Sequence, residues 1–165
     1  RVIAFASLLD RLILTPARNG KVRLLIDYFR ESPDPDRGYA LAAITGDLEV
    51  ASVKPAMLRA LAGERIDETL FALSYDYVGD LAETIALAWP ARRGANRAPS
   101  LSEIVEELQG AARSEGPRLI ETWLDALDES GRWALLKLVT GGLRIGVSAR
   151  LAKTALAEFG GKDVN

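Results

Sequence analysis

A chain of 165 residues, 48% apolar and 27% charged, has the make-up of one soluble domain that can bury roughly 70% of its unfolded surface. It holds no cysteine and no histidine, which removes disulfides, thiolate nucleophiles, cysteine-based zinc sites and the commonest general base, so hydrolytic triads and zinc chemistry are not expected. The net charge of −2 conceals a segregation: residues 1–30 and residues 130–165 each carry six Lys/Arg against two Asp/Glu, while residues 31–129 carry nine against nineteen. Basic ends flanking an acidic centre allow a basic face on an acidic protein. No apolar run approaches the roughly 18 residues that a membrane helix needs, and a cytoplasmic location is the expectation.

Helical periodicity dominates the chain. Phe5, Leu8, Leu9 and Leu12 mark a first amphipathic helix over Val2 to Leu14, broken by Thr15-Pro16. Asn19 is the expected N-cap of a second, whose apolar stripe is Val22, Leu25, Ile26 and Phe29. The prolines of Ser32-Pro33-Asp34-Pro35-Asp36 disfavour helix before them, and a short helix is expected over Gly38 to Ile44. Another is expected from Val53 to Ala62, with Pro55 tolerated in its first turn. Asp67 should cap a helix containing Leu70, Phe71 and Leu73, and Gly79-Asp80 should start another over Leu81 to Trp89. Residues 90–99 have the composition of an exposed, flexible linker between lobes at about 1–89 and 100–165.

Beyond the linker, Ser100 and Glu103 have the spacing of a capping box. Pro117 suits the first position of the next helix, and Ser130 is expected to cap a helix over Arg132 to Val139 that Gly141 stops. A last helix runs from Ala149 to Phe159. Strand signals are almost missing, so the fold class is all-α.

The chemistry concentrates in Thr140-Gly141-Gly142-Leu143-Arg144-Ile145-Gly146-Val147-Ser148. Three glycines allow close backbone approach, Arg144 can pair with a phosphate, and Ser148 stands at a helix N-terminus, where anions are favoured. Leu143 and Ile145 should anchor the turn. The same residues would also serve a plain helix–helix turn in which Gly141 caps and Arg144 is solvated. The segment fits neither the P-loop nor the dinucleotide fingerprint, and it misses the second glycine of a nucleophile elbow. A second basic locus, Thr15 to Lys21, places Thr15, Arg18 and Lys21 beside a helix start, although such residues most often form an ordinary turn. Glu103/Glu106/Glu107 and Asp125/Asp128 read as solvated faces, and Trp123 and Trp133 as core. Packing is the expected role of Tyr75 and Tyr77.

From Leu138 through the hallmark Gly142-Leu143-Arg144-Ile145-Gly146 to the helix ending at Phe159, the chain resembles the N-terminal DNA-binding domain of bacterial ATP-dependent DNA ligases. The opening Phe5 to Arg18, the Val78-Gly79-Asp80-Leu81-Ala82 helix start and Ile120 to Leu127 follow the same order of elements. The resemblance implies two pseudo-symmetric helical lobes that hold the minor groove and phosphates of nicked double-stranded DNA as a monomer. Gly141, Gly142, Leu143, Arg144, Gly146 and Ser148 would form one DNA contact, and Thr15, Arg18 and Lys21 a second. It further implies ATP and Mg²⁺ for the full-length ligase, used in catalytic domains of the same chain. The K-x-D-G motif that carries the adenylated lysine does not occur in this sequence, so no catalytic residue and no cofactor are expected within it. Two other readings compete. One is a helical protein–protein interaction scaffold recruiting a partner to the acidic centre. The other is a helix-turn-helix regulator, weakened by an alanine- and leucine-rich last helix.

Overall fold

The computed structural model describes residues 2–50, 53–90, 97–112, 114–141, 143 and 147–161, apart from the side chains of residues 77 and 78. Among them every regular element is helical. In chain order these are α1 (Val2–Leu14), α2 (Arg18–Glu31), α3 (Asp36–Thr45), α4 (Pro55–Arg65), α5 (Glu68–Val78), α6 (Leu81–Ala88), α7 (Leu101–Gly110), α8 (Gly116–Ala126), α9 (Glu129–Thr140) and α10 (Ala149–Phe159).

One apolar core runs through the molecule, from Phe5, Leu9, Leu25 and Phe29 to Ile104, Leu124, Leu135 and Ala155. Burying each large side chain there is worth about 1.5–3 kcal/mol before the entropy of ordering it is counted. The broadest helix contacts are α2 with α10, α1 with α9 and α6 with α9. Each joins the chain before residue 90 to the chain after residue 99. The buried face of α1 is covered by α9 and not by its own neighbours alone, and the expected flexible linker falls mainly on residues 91–96, outside the described residues.

An internal repeat explains this arrangement. In α3, Arg37 Nε donates to the carbonyl of Phe29, eight residues back, at 2.8 Å. In α9, Arg132 Nε donates to the carbonyl of Leu124, also eight back, at 2.8 Å. Both carbonyls lie in the last turn of a helix, where intrahelical donors run out. Both helices then end alike. Thr45 Oγ1 donates to Leu41 O and Thr140 Oγ1 to Leu136 O, and each threonine is followed by a left-handed glycine, Gly46 (φ 82°) and Gly141 (φ 72°). The helices α1–α4 and α7–α10 thus form two copies of one unit. The packing is exchanged between them: α1 lies on α9 and α3 on α7, α2 on α10 and α4 on α8, as a pseudo-two-fold axis requires. Between the copies stand α5 and α6.

Most helix starts follow the sequence. Asp67, Asp80, Ser100 and Ser148 each accept a backbone N–H from their own helix, at 3.0, 2.9, 3.1 and 3.0 Å. Two expected caps are corrected. Asn19 lies inside α2, which begins at Arg18 with Ala17 at the cap position and no side-chain cap. Ser130 lies inside α9, whose cap is Asp128, accepting from Gly131 N at 2.8 Å. Ser130 is instead engaged by the carboxylate of Asp10 on α1.

The solvated role expected of Asp125 is also overturned. Its carboxylate receives Arg65 Nη2 at 2.7 Å and Trp89 Nε1 at 3.0 Å, and the Arg65 guanidinium stacks 4.6 Å over the Trp89 ring. This cluster pins α4 and the end of α6 onto α8. Leu70 and Leu73 of α5 are 50% and 65% exposed. Trp123 is buried, whereas Trp133 is only partly so.

Candidate nucleic-acid interface

The helix starts divide into two electrostatic kinds. A helix N-terminus carries roughly half a unit of positive charge, which a nearby carboxylate neutralises. Helices α5, α6, α7 and α9 have a side-chain cap and an acid in the first turn: Glu68, Glu83, Glu103 and Glu129. Helices α1, α2, α4, α8 and α10 have no acid there, and three of these bear on the expected contacts, α2, α4 and α10. Instead Arg18 and Lys21 open α2, Lys54 precedes Pro55 at the head of α4, and Arg150 lies in the first turn of α10. These three starts carry cations and no first-turn acid, which favours anions, although Glu158 shares a cleft with Arg18 and Glu49 one with Lys54.

At the end of α9, Gly141 takes the left-handed conformation and donates its N–H to Lys137 O. Leu143 packs part-buried against the core, the anchoring role expected of it. Gly142, Arg144 and Gly146 lie outside the described residues, as does Ile145. Ser148 caps α10 through the Leu151 N–H and is exposed to solvent. The turn does not stand alone. Gly141, Leu138 and Leu143 line one cleft of about 230 Å³ together with Ala43, Ile44, Gly46 and Leu48 from the end of α3. Its walls are repeat partners, Ala43 with Leu138, Gly46 with Gly141 and Leu48 with Leu143, so the pseudo-two-fold axis passes through it. A neighbouring cleft runs from Thr140 and Gly141 to Glu49, Lys54 and Pro55. The electropositive head of α4 therefore opens beside the expected phosphate grip.

Lys137, one turn before Gly141, is held by Asp80 at 2.7 Å. Burial alone would raise the Asp80 pKa, but hydrogen bonds from Lys137 and the Glu83 N–H outweigh it, and the carboxyl ends below its usual range. The same carboxylate thus caps α6 and ties it to the last turn of α9.

The second expected locus is arranged differently. Thr15 Oγ1 donates to Arg11 O at 2.7 Å, closing α1. The Thr15 methyl leaves no room for a side chain at Gly20, where a Cβ would come within 2.7 Å of it. Thr15 thus serves the turn. Arg18 is exposed and lines a shallow cleft with Asn19, Arg23 and Glu158, while Lys21 is half-buried. The Asp10–Ser130 bond places the C-terminal part of α1 at the start of α9. The twelve residues of α9 then rise about 18 Å to Gly141. The two loci accordingly lie apart, toward opposite ends of one helix.

Sequence reading missed the Thr45–Leu48 turn and Lys54. The signal was there as Thr-Gly-x-Leu at Thr45-Gly46-Asp47-Leu48 and again at Thr140-Gly141-Gly142-Leu143. Among the described residues no group of three or more acidic side chains is placed to hold a metal ion, and no helix is long and apolar enough to cross a membrane.

No curated protein matches the chain significantly. A family model does, over residues 2–157, and it is that of the DNA ligase N terminus. With a match over nearly its whole length, on an all-helical fold, the chain belongs to the DNA ligase N-terminal family.

Proposed function

We propose that this chain is the DNA-gripping domain of an ATP-dependent DNA ligase. It holds the minor groove and phosphates of a nicked duplex while catalytic domains of the same protein seal the nick. The observation that carries this reading is the cleft in which Thr140 and Gly141, at the end of α9, meet Lys54 and Pro55 at the start of α4, a helix with no acid in its first turn, with Glu49 on the same wall. A helix start with its lysine beside a glycine turn suits a polyanion without reading base sequence. Gly141, Gly142, Leu143, Arg144, Gly146 and Ser148 form the main contact. Arg18 and Lys21 form the second, with Thr15 shaping their turn. We assign ATP and Mg²⁺ to the catalytic domains, since the adenylation motif is missing from this sequence.

The test is a titration of nicked duplex at rising salt. Binding should weaken linearly in log–log form and be indifferent to base sequence. Failure to bind at low salt would overturn the reading, and a strong sequence preference would move it toward a helix-turn-helix regulator.

One observation favours a second reading, the interaction scaffold. Ile13 and Leu87, 51% and 57% exposed, line a groove of about 660 Å³ between α1, α6 and α9 with Ala86 and Trp133. Its rim is Asp10, Glu83, Asp128 and Glu129, with no basic residue. Such a groove repels DNA and fits a basic amphipathic segment of another protein. Leu87→Asp should abolish binding of a synthetic Leu/Lys amphipathic helix while leaving DNA binding unchanged; equal binding by both forms would remove this reading.

A further inference from the structure

The groove of about 660 Å³ between α1, α6 and α9 joins an apolar floor to an acidic rim. Ile13, Ala86, Leu87 and Trp133 supply the floor, and Ile13 and Leu87 remain about half exposed. Asp10, Glu83, Asp128 and Glu129 supply the rim. Two of these acids also build the fold: Asp10 engages Ser130, and Asp128 accepts the Gly131 N–H at 2.8 Å. Glu83 and Glu129 stand exposed in the first turns of α6 and α9. No basic residue lines the groove, and Lys137, farther along α9, is held by Asp80. Wet apolar side chains cost free energy, and four carboxylates gathered around them add a repulsion that a cationic partner would relieve.

Helix α9 serves both this groove and the cleft beside α4. Glu129, Ser130 and Trp133 line the groove from its first half, whereas Thr140 and Gly141 line the cleft at its end. The rise of α9 from Glu129 to Gly141 is about 18 Å. Resting on the DNA-binding reading and on the scaffold reading above, we propose that the two are one function. The groove docks a cationic amphipathic helix of a partner protein while the far end of α9 holds nicked DNA, so that the domain brings that partner to the nick. The acidic rim turns phosphates away from the groove, and the two occupants do not compete for one surface. Every regular element among the described residues is helical, so no sheet edge is offered to an extended peptide. A helix fits instead: its apolar stripe covers Ile13, Leu87 and Trp133, and its flanking cations meet Glu83 and Glu129.

Two labelled synthetic helices test the docking by fluorescence anisotropy, one with a leucine stripe flanked by lysines and one with the same stripe flanked by glutamates. The chain should bind the Leu/Lys helix at least about tenfold more tightly than the Leu/Glu helix. Trp133 is part-exposed while Trp89 and Trp123 are buried, so docking should also move the tryptophan emission to the blue. Leu87→Asp should weaken the Leu/Lys helix at least about tenfold, and Glu83→Gln with Glu129→Gln a few-fold for each charge. All three changes fall on exposed side chains, and circular dichroism on each form confirms folding. For the bridge, the labelled Leu/Lys helix is added to immobilised nicked duplex with and without the chain. The native chain should carry several-fold more helix to the duplex than the duplex holds alone, and folded Leu87→Asp should carry no excess. Equal binding of the two helices, or undiminished binding by Leu87→Asp, would overturn the docking site. Absence of any excess with the native chain would overturn the bridge. A chain that docks the helix yet binds no duplex fails at the DNA-binding reading and takes the bridge down with it, a result distinct from loss of docking.

Discussion

The end of α3 and the end of α9 share a threonine hydroxyl bonded four residues back, a left-handed glycine, a leucine on the same cleft and an arginine that serves the preceding helix. They differ in sequence at the neighbouring positions, Asp47 and Glu49 against Gly142 and Arg144. What recurs is what the fold needs in order to stop a helix and satisfy its carbonyls. Positions released from that duty can diverge, and there we place the DNA-binding difference between the copies.

The two arginines offer the sharpest way to break this comparison. Arg132 is 8% exposed and donates to both Leu124 O and Trp89 O. Arg37 serves Phe29 O and Ser32 O, but its side chain is 25% exposed and meets the Phe159 ring at 4.8 Å. Truncation leaves carbonyls without a donor, and water can reach them more easily at Arg37. In chemical denaturation, Arg132→Ala should cost about 3–4 kcal/mol and Arg37→Ala about 1–2 kcal/mol. Equal losses would deny that the second copy is the more tightly built.

Next come the two left-handed glycines. A Cβ at Gly46 or Gly141 meets nothing within 4 Å, so the cost of alanine is the backbone conformation alone. Each substitution should destabilise by about 1–2 kcal/mol. Their effects on DNA should differ: Gly141→Ala should weaken binding to nicked duplex several-fold, and Gly46→Ala should leave it nearly unchanged. Equal loss of DNA affinity would make the two turns functional equals.

The smallest effect is expected at Asp80. Asparagine there can still cap α6 but loses the ion pair to Lys137, a part-exposed pair worth about 0.5–1 kcal/mol. Because the folded Asp80 pKa lies below the ordinary 3.8, its contribution is present above that value and is lost as pH falls through the folded one. Asp80→Asn should therefore be less stable at neutral pH and approach the unsubstituted protein in strong acid. A constant difference across that range would show that the charge is not what matters.

The helices were legible because their local signals agree: apolar spacing, Asp or Ser at N-caps, and glycine or proline at the ends. The failures arose where a distant segment decides the outcome. Asp125 and Asp128 share a helical spacing that reads as a wet face. Nothing nearby announces that Arg65, sixty residues earlier, arrives to pair with Asp125. Arg132 similarly looks like any polar residue near a helix start, because its acceptors belong to the ends of two other helices. Asn19 and Ser130 have good capping chemistry, but Ala17 and Asp128 occupy the cap positions. The linker composition at 90–99 says nothing of the exchanged packing that joins the chain on either side. Of the expected DNA contacts, Leu143 and Ser148 were legible down to their local roles, through burial pattern and capping chemistry.

The central claim is that the turn after α9 grips phosphate through its arginine. Titration of nicked duplex with the Arg144→Ala chain over a range of salt tests it most directly. Affinity should fall by about 5- to 150-fold, uniformly across base sequences, and the log–log salt slope should lessen by about one phosphate contact. An unchanged affinity with an unchanged slope would contradict the account.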